Sequence, residues 1–106
     1  MRRINMKTTS NIDEFIDALM HGGQFARSNA AYVLGEMGEK AVPALIDTLN
    51  SESVEVRKYA AYALGGIGNS TAVPALTHAL RDVHDGVAKW VANALKEIGG
   101  VNASKF

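Results

Sequence analysis

Residues 30–38 read AAYVLGEMG and residues 60–68 read AAYALGGIG; six of the nine letters coincide at a spacing of 30. A single globular core gives no reason for that coincidence, whereas a fold assembled from copies of one unit requires it. Working outward, AVPALIDTL at 41–49 returns as AVPALTHAL at 72–80, and NIDEFIDAL at 11–19 fills the matching slot of an earlier unit. Leu34, Leu64 and Leu95 fall into register, as do Met37, Ile67 and Ile98, then Gly38, Gly68 and Gly99. The chain thus divides into three units, about 11–38, 39–68 and 69–99, within a single domain spanning 10–100. A basic tail, 1–9, with Met6 as an alternative start, precedes that domain, and a short tail, 101–106, follows it.

Each unit reads as two helices. In the second helix of the middle unit, Val56, Ala60, Ala63, Leu64 and Ile67 recur at the spacing of one helical face. Val42, Leu45, Ile46 and Leu49 do the same in its first helix, and Pro43, like Pro74, suits a first turn where a missing N–H costs least. Ser10, Ser53, Ser70 and Asp85 are candidate N-caps. Gly38, Gly68 and Gly99 stand where C-terminal stops belong. A two-helix unit of this length cannot bury its apolar face alone, so neighbours must close it, and about three units are needed. Alanines at 30, 31, 60, 61 and 92 would let helices approach closely at each joint. The repeated sentence is a packing instruction, and the predicted fold is an all-α solenoid of three two-helix repeats.

Composition narrows the function classes. Of 106 residues, 47% are hydrophobic and 21% charged, the balance of a soluble folded domain. No apolar run is long enough to span a membrane, and the start MRRINMK lacks a secretory signal's apolar stretch, so a cytoplasmic location is expected. Cysteine is absent, which removes disulfides, thiolate metal sites and cysteine nucleophiles. Eleven Lys+Arg balance eleven Asp+Glu, and that neutrality disfavours a nucleic-acid partner.

The pattern V-R-x-x-A-A-x-A-L-G-x-I-G followed by A-V-P-A-L-x-x-x-L resembles the short HEAT-like repeat first named from phycobilisome lyase subunits. The middle unit carries it best, through Val56, Arg57, Ala60, Ala61, Ala63, Leu64, Gly65, Ile67 and Gly68, then Ala72, Val73, Pro74, Ala75, Leu76 and Leu80. Three departures fall in the end units: Asp13 in place of the proline, Ala88 in place of the arginine supplied by Arg27 and Arg57, and Lys96 in place of a glycine. The resemblance implies an armadillo/HEAT-like superhelix with the second helices lining a concave side. It also implies scaffolding, chaperoning and occasionally catalysis, either as a bilin-lyase-like accessory or as a hypusine-type metal hydroxylase. That hydroxylase would present His-Glu pairs on several helices. The histidines here, His21, His78 and His84, form no such dipeptide.

By the 100° step per residue, Ser28, Lys58 and Lys89, and Tyr32, Tyr62 and Asn93, point away from the core stripe of the second helices, with Asn29, Tyr59 and Trp90 flanking them. Aromatic and basic residues gathered on a concave surface suit a peptide or protein groove. The candidate binding residues are therefore Tyr32, Lys58, Tyr59, Tyr62, Lys89, Trp90, Asn93 and Lys96, and the lysines favour an acidic partner. Tyr59 and Trp90 also fit a packing role between neighbouring units. Arg27 and Arg57 suit bridges between layers through an acidic neighbour. Asp13, Glu14 and Asp17 read as a solvated outer face. No catalytic or metal constellation stands out, so the expectation is a binding protein that works without catalysis or a cofactor. The last helix, with Val87, Trp90, Val91 and Ala94, lacks a fourth unit; unless Val101 and Phe106 fold back over it, it would invite self-association.

Overall fold

The computed structural model describes the backbone of residues 9–82 and 84–103, with the side chains of 12–82 and 84–100. Six helices follow one another: α1 (Thr9–His21), α2 (Gln24–Met37), α3 (Val42–Thr48), α4 (Val54–Ile67), α5 (Val73–Ala79) and α6 (Asp85–Ala103). Short 3-10 turns, Gly38–Ala41 and Ser70–Ala72, lead into α3 and α5. No strand occurs among the described residues. The pairs α1/α2, α3/α4 and α5/α6 are three stacked layers, so the fold is an all-α solenoid. The sequence expectation of two helices per unit holds in each layer.

The apolar stripes are what the layers bury. Leu19, Leu34, Leu45, Leu64 and Leu76 are inaccessible to solvent, as are Val87 and Val91. Ala30, Ala31, Ala60 and Ala61 are almost fully buried, which is why only a methyl group fits there. Among the described residues the one buried polar side chain, Thr48, is satisfied within its own helix, its hydroxyl donating to the Ala44 carbonyl at 2.7 Å. Pro43 and Pro74 both lie in first turns, as read. Ile46 and Ile67 pack against the core without being enclosed by it.

The two joints between layers are not identical. Gly68 ends α4 in the left-handed conformation (φ 76°, ψ 18°), and its N–H donates to the Leu64 carbonyl. Gly38 ends α2 at φ 72°, ψ −140° and leads straight into its 3-10 turn. The second joint holds one more residue, Asn69-Ser70-Thr71 against Glu39-Lys40, and the turn absorbs the whole of that insertion. The buried residues of the following helix therefore stay in phase. Asn69, not Ser70, caps the turn, its side chain accepting from the Thr71 N–H at 2.8 Å. Ser53 caps α4 as read, accepting from Val56 N–H. Ser10 lies inside α1, and Asp85 is the first residue of α6, so neither takes the cap position expected of it.

Gly99 is not a stop. Its position matches Gly38 and Gly68, but among the described residues only those two glycines take positive φ. Helix α6 runs on to Ala103, so the domain boundary drawn at residue 100 falls within it. No 3-10 turn follows Gly99, and without one nothing forces the helix to end. Val87, Val91 and Ala94 do not form an uncovered face; they are buried against α4 and α5. The side of α6 that matches the packed side of α4 shows Ala92, Lys96 and Gly99 to solvent and leaves Leu95 half-buried. The fold-back through Val101 and Phe106 lies outside the described side chains.

Gly65 is the close approach that makes the α4/α6 joint. A Cβ added there would lie 2.9 Å from the Ala94 Cα and 2.8 Å from Glu97 Oε1. At Gly35, the matching position of α2, an added Cβ meets nothing within 4 Å. Gly65→Ala should destabilise by about 1–2 kcal/mol through overpacking against backbone. Gly35→Ala should stabilise by about 0.5–1 kcal/mol through helix propensity and a less flexible unfolded chain. Urea unfolding of the two variants checks the sign: equal effects would show that the two joints are packed alike.

Candidate functional site

The second helices α2, α4 and α6 form a continuous row, with α4 packed along both neighbours and most extensively along α6. The first helices do not match it, since α3 and α5 make little contact with each other. We call the side formed by α2, α4 and α6 the inner side and the side formed by α1, α3 and α5 the outer side. On the outer side a cleft of about 470 Å³ opens between α3 and α5, lined in part by Ile46, Leu49, Arg57, His78, Arg81 and Asp82.

Two of that cleft's charged groups, Arg57 and Asp82, are engaged with one another. Arg57 donates through Nε and Nη2 to the two carboxylate oxygens of Asp82, and through Nη1 to the carbonyls of Ser51 and Glu52. Arg57 on α4 thus ties its own loop to the loop after α5 in the next layer, the bridge expected of it. The Arg57 guanidinium holds the Asp82 carboxyl below the usual carboxylate range against the upward pull of burial, and the His84 backbone N–H adds to the lowering. Arg27 does not bridge layers. It donates to the carbonyls of Leu19 and Met20 in its own unit, and among the described residues no carboxylate pairs with it. Where the third unit has Asp82, the second has Ser51, so the partner is missing from the sequence itself.

The inner row carries the aromatic residues singled out from the sequence. Tyr32 and Tyr62 are 61% and 54% exposed, large aromatic surfaces left in water. Trp90 is half-buried and collects three neighbours across the α4/α6 joint. The Tyr59 ring stands edge-on at 5.9 Å between centroids, Tyr62 lies tilted at 5.7 Å, and Lys58 Nζ sits 5.5 Å from the Trp90 centroid. Tyr59 and Trp90 therefore fill the joint, while Tyr62 belongs both to the joint and to the surface.

Two pockets flank Tyr62. One, of about 230 Å³ between α2 and α4, is lined by Ala31, Tyr32, Gly35, Glu36, Tyr62, Ala63, Gly66 and Glu97. The other, of about 300 Å³ between α4 and α6, is lined by Tyr62, Trp90, Asn93, Ala94 and Glu97. The structure thus brings together Tyr32, Lys58, Tyr59, Tyr62, Trp90 and Asn93. It does not bring in Lys89 and Lys96, which lie about 100° or more around α6 from Trp90. They occupy the positions that Lys58 and Gly65 hold in the preceding layer.

Sequence reasoning missed Glu36 and Glu97. Both were legible by period: Glu36 follows Tyr32 by four, and Glu97 follows Trp90 and Asn93 by seven and four. The charges at the pockets are therefore carboxylates, and the acidic partner expected from the lysines does not suit them. Phe25, 88% exposed at the start of α2, was also passed over and lines neither pocket. Among the described residues no three His, Asp or Glu side chains gather as metal ligands, and no helix is long and apolar enough to cross a membrane. His21 instead lies 3.9 Å from Asp17 on the exposed face of α1, and His84 Nδ1 accepts from the Gly86 N–H.

Among known families, the chain matches HEAT repeats over residues 42–106 and the PBS lyase HEAT-like repeat over residues 26–51. It is also similar to a deoxyhypusine hydroxylase of Arabidopsis thaliana, 38% identical over 64 residues, or 59% of this chain and 20% of that protein. The chain spans about a fifth of the length of this relative.

Proposed function

Because the chain belongs to the family of HEAT-repeat proteins, we propose that this repeat scaffold is an interaction module, binding a protein or peptide on the inner face formed by α2, α4 and α6. The observation that carries the reading is the exposure of Tyr32 and Tyr62 beside two pockets on one continuous helical row. Exposed aromatics next to concave pockets are the usual anchors of protein recognition, since each buries a large area at low entropic cost. The backbone beneath them is held by packed layers, so the anchors are presented in fixed positions. In the outer cleft, by contrast, Arg57 and Asp82 are paired with one another, and among the described residues no tyrosine, tryptophan or phenylalanine lines it.

The hydroxylase likeness fits the alternative of an enzyme of HEAT-repeat type, over a stretch about two repeats long and a fifth of that protein. A nucleic-acid backbone has little to bind, since the pockets are lined by glutamates.

The test is capture of partners on immobilised protein, with Tyr32→Ala/Tyr62→Ala as one comparison and the outer-cleft variant His78→Ala as the other. Circular dichroism must show both variants folded. The expected result is a partner retained by the unmodified chain and by His78→Ala, with about tenfold weaker binding to the double tyrosine variant. Equal capture by all three would remove the inner face as the binding surface.

A further inference from the structure

We propose that the two inner pockets are subsites for arginine side chains of the bound peptide, with Glu97 as the counter-ion common to both. This rests on the inner face being the binding surface and specifies what it binds.

Every polar group lining the pockets favours a cation or is neutral. Glu36 and Glu97 supply carboxylates, Asn93 an amide, Tyr32 and Tyr62 hydroxyls, and no basic side chain lines either pocket. Neither glutamate has an ion-pair partner among the described residues. The first pocket also opens at the C-terminal ends of two helices. Glu36 is in the last turn of α2 and Gly66 in the last turn of α4, where the negative ends of the two helix dipoles fall. An added Cβ at Gly35 or Gly66 would meet nothing, so these positions leave the backbone approachable.

The walls point the same way. Ring faces carry negative charge density and attract cations, and Trp90 already holds Lys58 Nζ at 5.5 Å from its centroid. Lys58 does not line the adjoining pocket, which leaves Tyr62, Trp90 and Glu97 there for a ligand from outside. A guanidinium suits this set better than an ammonium: it stacks flat on an aromatic ring while donating two parallel hydrogen bonds to a carboxylate. An acidic side chain in the same place would face Glu97 in either pocket, with Glu36 added in the first.

Trp90 is the only tryptophan, so its emission reports directly on the second pocket. The experiment titrates the full chain with three nonapeptides of one sequence carrying two spaced arginines, two citrullines or two glutamates. Citrulline keeps the shape and most hydrogen bonds of arginine but not its charge. The arginine peptide should change Trp90 emission and bind about tenfold more tightly than the citrulline peptide. Glu97→Gln should abolish most of that preference, weakening arginine binding much more than citrulline binding. A preference that survives Glu97→Gln, equal binding of arginine and citrulline, or tightest binding of the glutamate peptide would each overturn the arginine assignment and leave the inner face standing. No binding of any peptide at millimolar concentration also overturns it, and partner capture then decides the face independently.

Discussion

Leu64→Ala is expected to lower the unfolding free energy by about 3–4 kcal/mol, the largest effect of any truncation in the chain. Leu64 is inaccessible to solvent and sits on α4, the helix that packs against both neighbouring layers as well as its own partner α3. Backbone on every side leaves little room for collapse into the vacated space, so the cavity term adds to the lost transfer energy. A domain of this length has about 5–15 kcal/mol of stability in total, and the loss should move the thermal midpoint down by roughly 15 °C or more. Differential scanning calorimetry measures it. Leu95 is the informative control: it stands at the matching position of α6 but is only partly buried, and Leu95→Ala should cost about half as much. Equal losses at the two sites would show that stability is spread evenly and does not depend on having neighbours on both sides.

Arg57→Ala is expected to cost about 2–3 kcal/mol, well above an ordinary surface ion pair. The two side chains are only 16% and 10% exposed, the contact is two-pronged, and the same guanidinium also serves two backbone carbonyls. Asp82→Asn removes the charge alone and should cost about 1.5–2 kcal/mol at neutral pH. Its pH dependence identifies the cause. The folded-state carboxyl titrates below its unfolded value, held down chiefly by the Arg57 hydrogen bond. The stabilisation is therefore fully present above the unfolded value of about 4 and is lost as pH falls through the lower folded value. The gap between the unmodified chain and Asp82→Asn should be constant from neutral pH to about 5 and close below about 4. Urea unfolding at four or five pH values follows this directly. A gap that persists in acid would place the effect in packing. Arg27→Ala, whose partners are carbonyls only, should show a smaller loss with no such acid dependence.

The repeat made the layers legible because most burial repeats with it: Ala30 and Ala60, and Leu34 and Leu64, are enclosed at the same register, while in the last layer Ala92 is exposed and Leu95 half-buried. The stripes of leucine and alanine, the proline positions and the outward side of the second helices all follow from that. The ends of helices did not follow, because a stop depends on what comes after it. Gly99 looks like Gly38 and Gly68 by position, yet α6 continues through it. Asn69 took the cap from Ser70 for a similarly local reason, the extra residue in the second joint. At the inner face, the period put Tyr32, Tyr62 and Trp90 on the second helices near one another, and the reading passed over the carboxylates beside them. Glu36 and Glu97 looked like ordinary solvated charges until the pockets beside Tyr62 gave them a shared location.

The unequal packing of the two rows also sets how the stack deforms. A body joined along its inner row and gapped along its outer row is stiff against parting α4 from α6 and compliant toward closing the space between α3 and α5. Its softest excursion is a flexing about the inner row, in which the outer gap narrows as the inner face spreads. The widths of the two sides are therefore anticorrelated, and a ligand that wedges the inner pockets apart does work on the opposite surface. The Arg57–Asp82 tie, lying in the outer gap, acts as the spring that limits this travel.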